Sequence, residues 1–194
     1  MQILITGPLH ENTERLNGLI EVSQPEVVFI IGPLKLSQPI KLNLTWFFVR
    51  GKEDNLAPLL KSNGIDMLSR IFQFKNGSTF SGISGIYHPS TIKLTRGEWI
   101  KSRGKLEKHK QNYLFKEDID SLVQAFRNSG LERLDMFFIA DSPTKQIFKE
   151  IIELVKPKYL FFPSGSYIKE KVGETTFIGL ENITSPKGKY ILHL

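Results

Sequence analysis

The chain has no cysteine in 194 residues. That excludes disulfides and thiolate-bound metals, and it leaves His, Asp, Glu and Asn as the side chains any metal would need. Histidine is scarce too: His10, His88, His109 and His193 are the whole set, and no two stand at ligand spacing. No apolar run approaches the roughly 18 to 20 residues that cross a bilayer. Met1 leads directly into Gln2-Ile3-Leu4-Ile5-Thr6 without a basic leader. No membrane partner is expected, and the expected location is intracellular: cytoplasmic, or nuclear if the source is a eukaryote. A Gly-x-Ser-x-Gly elbow is missing, and Gly82 to Gly85 lacks the Lys-Ser/Thr ending and following helix of a phosphate loop.

With 40% hydrophobic residues, the chain can bury one substantial core, so a single domain over 1–194 is expected. The formal charge of +6 is concentrated in one place. Lys93, Arg96, Lys101, Arg103, Lys105, Lys108 and Lys110 face only Glu98 and Glu107, which puts +5 of the +6 between positions 93 and 110. Gly97, Gly104 and the lack of periodicity predict a loop there. Such a loop, with Trp99 inside it, suits RNA: cations for the backbone and an indole for stacking. The alternative is a solvated basic loop with no partner.

Continuous hydrophobic runs at Val27 to Ile31, Trp46 to Val49, Met136 to Ala140 and Tyr159 to Phe162 read as strands covered on both faces. Helical stripes follow them: Leu16, Leu19 and Ile20 after an Asn12 or Thr13 cap, Leu56 to Leu60, Ile119 to Phe126, and Ile147 to Leu154 after a Thr144 cap. Asn76-Gly77 between apolar segments predicts a hairpin. Two further strands are predicted at Thr175 to Gly179 and Lys189 to Leu194. The pattern is α/β, with two sheets in a sandwich flanked by helices.

Open α/β sheets place their chemistry where strands end in polar turns. Here those turns are Gly7-Pro8-Leu9-His10, Gly32-Pro33, Arg50-Gly51-Lys52-Glu53-Asp54, Asp141-Ser142-Pro143 and Pro163-Ser164-Gly165-Ser166. Arg50 and Lys52 are expected either to bind an anion or to pair with Glu53 and Asp54. His10, without neighbours of its kind, is expected to cap its own turn. Ser142, before a proline, reads as a helix cap more readily than as a nucleophile.

The order of these turns resembles the calcineurin-like metallophosphoesterases. Their metal ligands sit on five successive strand ends, as Asp-x-His, Gly-Asp, Gly-Asn-His-Asp/Glu, a lone His and Gly-His-x-His. Within that superfamily the chain is most similar to the RNA lariat-debranching enzymes and CwfJ-like splicing factors. Ser81-Gly82-Ile83-Ser84-Gly85-Ile86-Tyr87 looks like their Gly-Gly-Ile-Ser-Gly-Ile-Tyr, and Tyr113-Leu114-Phe115-Lys116 and Leu134-Asp135-Met136-Phe137-Phe138 continue the match in order.

The resemblance implies the calcineurin-like fold over the whole chain, and it also implies a lost centre. Pro8 replaces the first ligand, Pro33 the bridging Asp, Lys52 the Asn and Glu53 the catalytic His. Ala140 or Asp141 replaces the lone His, and Ser164 and Ser166 the final pair. Ancestral site positions are therefore His10, Lys52, Glu53, Asp54, Asp141, Ser164 and Ser166, with no catalytic residue, no metal and no cofactor expected. The function implied is a catalytically inactive binding or scaffold module in RNA processing, with RNA or a protein as partner. The RNA-binding set is Lys93, Arg96, Trp99, Lys101, Arg103, Lys105, Lys108 and Lys110. The alternative is an active metal-dependent phosphodiesterase with ligands rearranged among His10, Glu53, Asp54 and Asp141.

Overall fold

Phe29 marks where two sheets meet: its ring stacks on Phe47 of its own sheet at 5.3 Å and on Phe138 of the other at 4.5 Å. In this computed structural model the backbone of residues 1–194 is described throughout, and every side chain except that of His109. The elements run β1 (Gln2–Thr6), α1 (Thr13–Ser23), β2 (Val27–Ile31), β3 (Thr45–Val49), α2 (Leu56–Lys61), β4 (Ile65–Asp66), β5 (Ile71–Gln73) and β6 (Thr79–Ile83). After these come α3 (Arg96–Arg103), a 3-10 turn at Lys108–Lys110, α4 (Lys116–Ser129), β7 (Met136–Ile139), α5 (Gln146–Val155), β8 (Tyr159–Pro163), β9 (Ile168–Val172), β10 (Thr175–Leu180) and β11 (Lys189–His193).

One sheet has the order β11-β1-β2-β3-β4, the other β5-β6-β7-β8-β10-β9, and both mix parallel and antiparallel pairs. Alternate residues of each central strand point to different layers, as the two-residue strand period requires. Ile3, Ile5, Phe29 and Val49 meet Phe80, Phe138, Phe161 and Ile178 between the sheets. Leu4, Val28, Ile30 and Trp46 pack outward with Leu16 and Leu19 of α1. On the far side, Phe137, Ile139 and Leu160 lie under Leu122 and Phe126 of α4 and Phe148 and Ile151 of α5. The architecture is thus α/β, with two mixed sheets between helices. The predicted hairpin is present as β5 and β6, with Gly77 at φ +88 in its turn.

Three local readings are corrected. The 93–110 segment is not a loop. Thr95 and Glu98 form a reciprocal capping box that starts α3, and Gly104, left-handed at φ +80, ends it. Thr144 does not cap α5: Lys145 holds that position without a side-chain bond, and the Thr144 hydroxyl meets Ser142 Oγ at 2.8 Å. β9, with the sequence Ile-Lys-Glu-Lys-Val, escaped the reading of strands because it lies at a sheet edge and carries charge.

Thr6, at the end of β1, has a fully buried hydroxyl with no hydrogen-bond partner among the described residues. An orphaned buried hydroxyl costs free energy that an isosteric methyl does not, so Thr6→Val should raise unfolding stability by about 1 kcal/mol. Urea denaturation checks this; a loss of stability would mean that the hydroxyl has a partner.

Candidate functional site

The carboxyl ends of β1, β2 and β3 are latched together by backbone. The Pro33 carbonyl accepts from Leu9 N at 3.2 Å and His10 N at 3.4 Å, and Leu34 O accepts from Glu11 N at 2.7 Å. Asp54 completes the latch from the β3 side. Its Oδ1 accepts from Leu34 N and Lys35 N at 2.6 and 2.7 Å, and its Oδ2 from Gly51 N at 2.7 Å. Burial pushes this carboxyl above the usual aspartate range, while the three backbone donors and the Arg50 charge pull it back.

Arg50 ties this edge to the second sheet. Its Nε donates to Asp66 Oδ2 at 2.7 Å and its guanidinium to Asn112 Oδ1 at 3.1 Å. Its backbone N–H donates to Ser84 Oγ at 3.0 Å, and its carbonyl accepts from Gly85 N at 2.7 Å. Ser84 Oγ in turn donates to Asp66 Oδ1. Asn112 Nδ2 donates to the Asp54 carbonyl at 2.6 Å. Gly82 is required here: a Cβ would lie 2.7 Å from Val49 Cγ1 and 3.1 Å from Met67 Cβ. The Ser81 to Tyr87 stretch thus packs and bonds the two sheets together at their strand ends.

On the second sheet, Asp141 is spent in the same manner. Its oxygens accept from Tyr87 N at 2.9 Å, Ser142 N at 2.7 Å and the Lys145 ammonium at 2.6 Å. Ser164 Oγ accepts from Ser166 N at 3.4 Å, closing its own turn.

The expected site therefore divides. His10, Lys52 and Glu53 stay exposed, and the charges of Lys52 and His10 both reach the Glu53 carboxylate. The hydrogen bond and charge of Lys35, with smaller help from those two, hold Glu53 below the usual range. Arg50 and Asp54 are buried and structural. Two pairings read from the sequence are corrected: Arg50 pairs with Asp66 rather than Glu53 or Asp54, and Glu53 pairs with Lys35. His10 does not cap its turn; it sits at φ 44 with its ring in solvent. Lys35, Asp66, Asn112 and Lys145 were missed by sequence reasoning, since each lies outside the motif that it completes.

The two metals that active calcineurin-like phosphoesterases carry do not fit these residues. A bridged pair needs a shared ligand holding two ions about 3.5 to 4 Å apart. Pro33 offers none, and the carboxylates of Asp54 and Asp141 are taken by N–H and ammonium donors. Among the described residues, no three His, Asp or Glu side chains form a group able to hold a metal ion.

The basic segment is reorganised by its own aromatic. Trp99 is 4% exposed, packs edge-on against Phe115 and donates to Glu107 Oε2 at 3.1 Å. Lys110 lies 5.0 Å above its ring. Trp99 presents no open face for a base. Arg96 is engaged too, bidentate to Asp118 at 2.8 Å and in contact with Glu117 at 3.0 Å. Lys110 pairs with Glu107 at 3.4 Å. Lys93, Lys101, Arg103, Lys105 and Lys108 remain on the surface.

Among the described residues, no helix is long and apolar enough to cross a membrane. No family model and no curated protein matches the chain. Solved structures share its fold. One crystal structure aligns with 98% of this chain and 94% of its own, with a TM-score of 0.67 and 12% identity. TT1561 of Thermus thermophilus aligns with 94% of this chain and 90% of its own, with a TM-score of 0.65 and 12% identity. GAP50, the anchor in the inner membrane complex of Plasmodium, aligns over 94% and 72%, with a TM-score of 0.54 and 10% identity. At such identities these likenesses show a common two-sheet α/β fold and nothing of activity.

Proposed function

We propose that this chain is a metal-free, catalytically inactive protein of the calcineurin-like metallophosphoesterase type, nearest to the lariat-debranching branch, and that it works as an RNA-binding module. The observation that carries this reading is the fate of the strand-end groups. Where a two-metal hydrolase needs carboxylates free to bridge and bind ions, Pro33 contributes only a backbone carbonyl, and Asp54 and Asp141 serve as hydrogen-bond hubs. The ammonium of Lys52, whose charge also acts on Glu53, repels a dication and attracts phosphate.

RNA is favoured over a protein by the five surface cations on and around α3, which stand in a chain that is otherwise nearly neutral. Phosphate contacts of this sort give binding that weakens steeply with salt and depends little on sequence. Replacing Lys101, Arg103, Lys105 and Lys108 together by Ala should abolish salt-sensitive binding of single-stranded RNA in fluorescence anisotropy while leaving the circular dichroism spectrum unchanged. Native protein that fails to bind RNA at low ionic strength would reject the RNA reading and favour a protein scaffold.

A further inference from the structure

An apolar opening lies away from both the strand-end latch and the basic segment. It is a groove of about 1060 Å³ between α5 and the β9–β10 hairpin. Its cause is the spacing of the layers. α4 and α5 cover the outer face of β6, β7 and β8, whereas β10 and β9 extend two strands further with no helix above them. Two strand spacings of about 4.8 Å make roughly the width of one helix, so a strip of that width is left open. Phe162, Phe177, Ile168 and Val172 form its floor, and Val172 is 56% exposed.

The two walls differ in charge. The α5 wall shows the helical stripe Lys149, Ile152, Glu153 and Lys156, and the β9 wall shows Glu170 and Glu174. Lys149, Glu153, Lys156 and Glu170 have no ion-pair partner among the described residues, and Glu174 reaches only the half-exposed Arg133, at 3.5 Å. The spacings of the charges match. Lys149 and Lys156 are seven residues apart, about 10 Å at 1.5 Å per helical residue. Glu170 pairs opposite Phe177, and Glu174 precedes Thr175. That is three strand steps, again about 10 Å. Both pairs run in the same direction, because α5 descends from the Ser142 turn towards Val155 while β9 descends from Ile168 towards Val172.

We propose that the occupant of this groove is a second copy of the chain, packed groove to groove about a two-fold axis parallel to β10. Such an axis exchanges the walls. Lys149 and Lys156 of one copy then face Glu170 and Glu174 of the other, twice per dimer, and the apolar floors close over each other. A two-fold interface must be complementary to itself, and a wall of net positive charge, whose two lysines flank Glu153, opposite an acidic wall at equal lysine and glutamate spacing meets that condition. The proposal is independent of the RNA-binding reading, since its residues are separate from α3 and from the latch.

Sedimentation velocity on the full chain from roughly 1 to 100 μM tests it. The native protein should form a dimer. Lys149→Glu alone and Glu170→Lys alone should each weaken it about tenfold or more, the combined variant should restore it, and Val172→Asp should abolish it. Lys149, Glu170 and Val172 are all exposed, so circular dichroism should show an unchanged fold. A chain that stays monomeric overturns the proposal, as does a dimer indifferent to either reversal or a double variant that is not restored. A monomer that takes up an apolar fluorescent dye, with uptake lost in Phe177→Asp, would likewise overturn it and assign the groove to a small apolar ligand.

Discussion

Asp54→Ala should cost about 3 kcal/mol of unfolding stability, because it strands three backbone donors at once, those of Leu34 and Gly51 buried and that of Lys35 partly buried, and each orphaned buried group costs about 1 to 3 kcal/mol. The donors belong to Leu34, Lys35 and Gly51, which lie on two different strand-end loops, so the carboxylate is the bond between those loops. Asp54→Asn should fall between the native protein and Asp54→Ala, since its amide nitrogen cannot accept from one of the donors. The pH dependence follows from the direction of the shift. Burial leaves the folded carboxyl above its ordinary value of 3.8, so the folded chain holds this proton more tightly than the unfolded chain does. The stability linked to the proton bound on Asp54 is therefore fully present below that value and is lost as the carboxyl ionises, with pH rising through the folded pKa. Urea unfolding of the native protein and Asp54→Asn between about pH 3.5 and pH 7 checks both signs. A substitution tolerated within about 0.5 kcal/mol, as is usual at free surface positions, would mean that Asp54 is not the latch.

Trp99→Ala should cost about 3 to 5 kcal/mol, the usual range for an aromatic deleted from a packed core. Its ring is the centre of a small cluster with Tyr113 and Phe115, bordered by Ile86, Leu94 and Leu106. The same change at a base-stacking residue would leave stability alone and weaken RNA binding by about 1 to 3 kcal/mol per base. Measuring both quantities on one variant separates the two roles. Weakened RNA binding with native thermal stability would restore Trp99 to the RNA surface and contradict its burial.

How much of this was legible in the sequence follows from where each signal resides. β2 and β7 were readable because a run such as Val27-Val28-Phe29-Ile30-Ile31 has no tolerable solvent face, and the turn at Asn76-Gly77 is written in two adjacent residues. α3 was equally local: Thr95 and Glu98 stand at capping-box spacing and Gly104 is a helix stop. Its glycines and charges outweighed those signs in the reading, and the buried role of Trp99 was lost with it. The strand-end frame was visible as an order of turns. The partners of its side chains were not, because Arg50 with Asp66 and Asp54 with Leu34 are long-range pairs without a sequence signature. An acidic residue at a strand end reads alike whether it faces a metal or a row of backbone N–H groups; only the fold decides.

These strand ends are expected to hold no metal and to perform no hydrolysis. Metal content per chain should be measured on protein equilibrated with excess manganese and then freed of unbound ion, alongside turnover of bis(4-nitrophenyl) phosphate in the same manganese. The account predicts far less than one bound ion per chain and no turnover above buffer. One or two tightly bound ions per chain, with turnover abolished by His10→Ala, would contradict it.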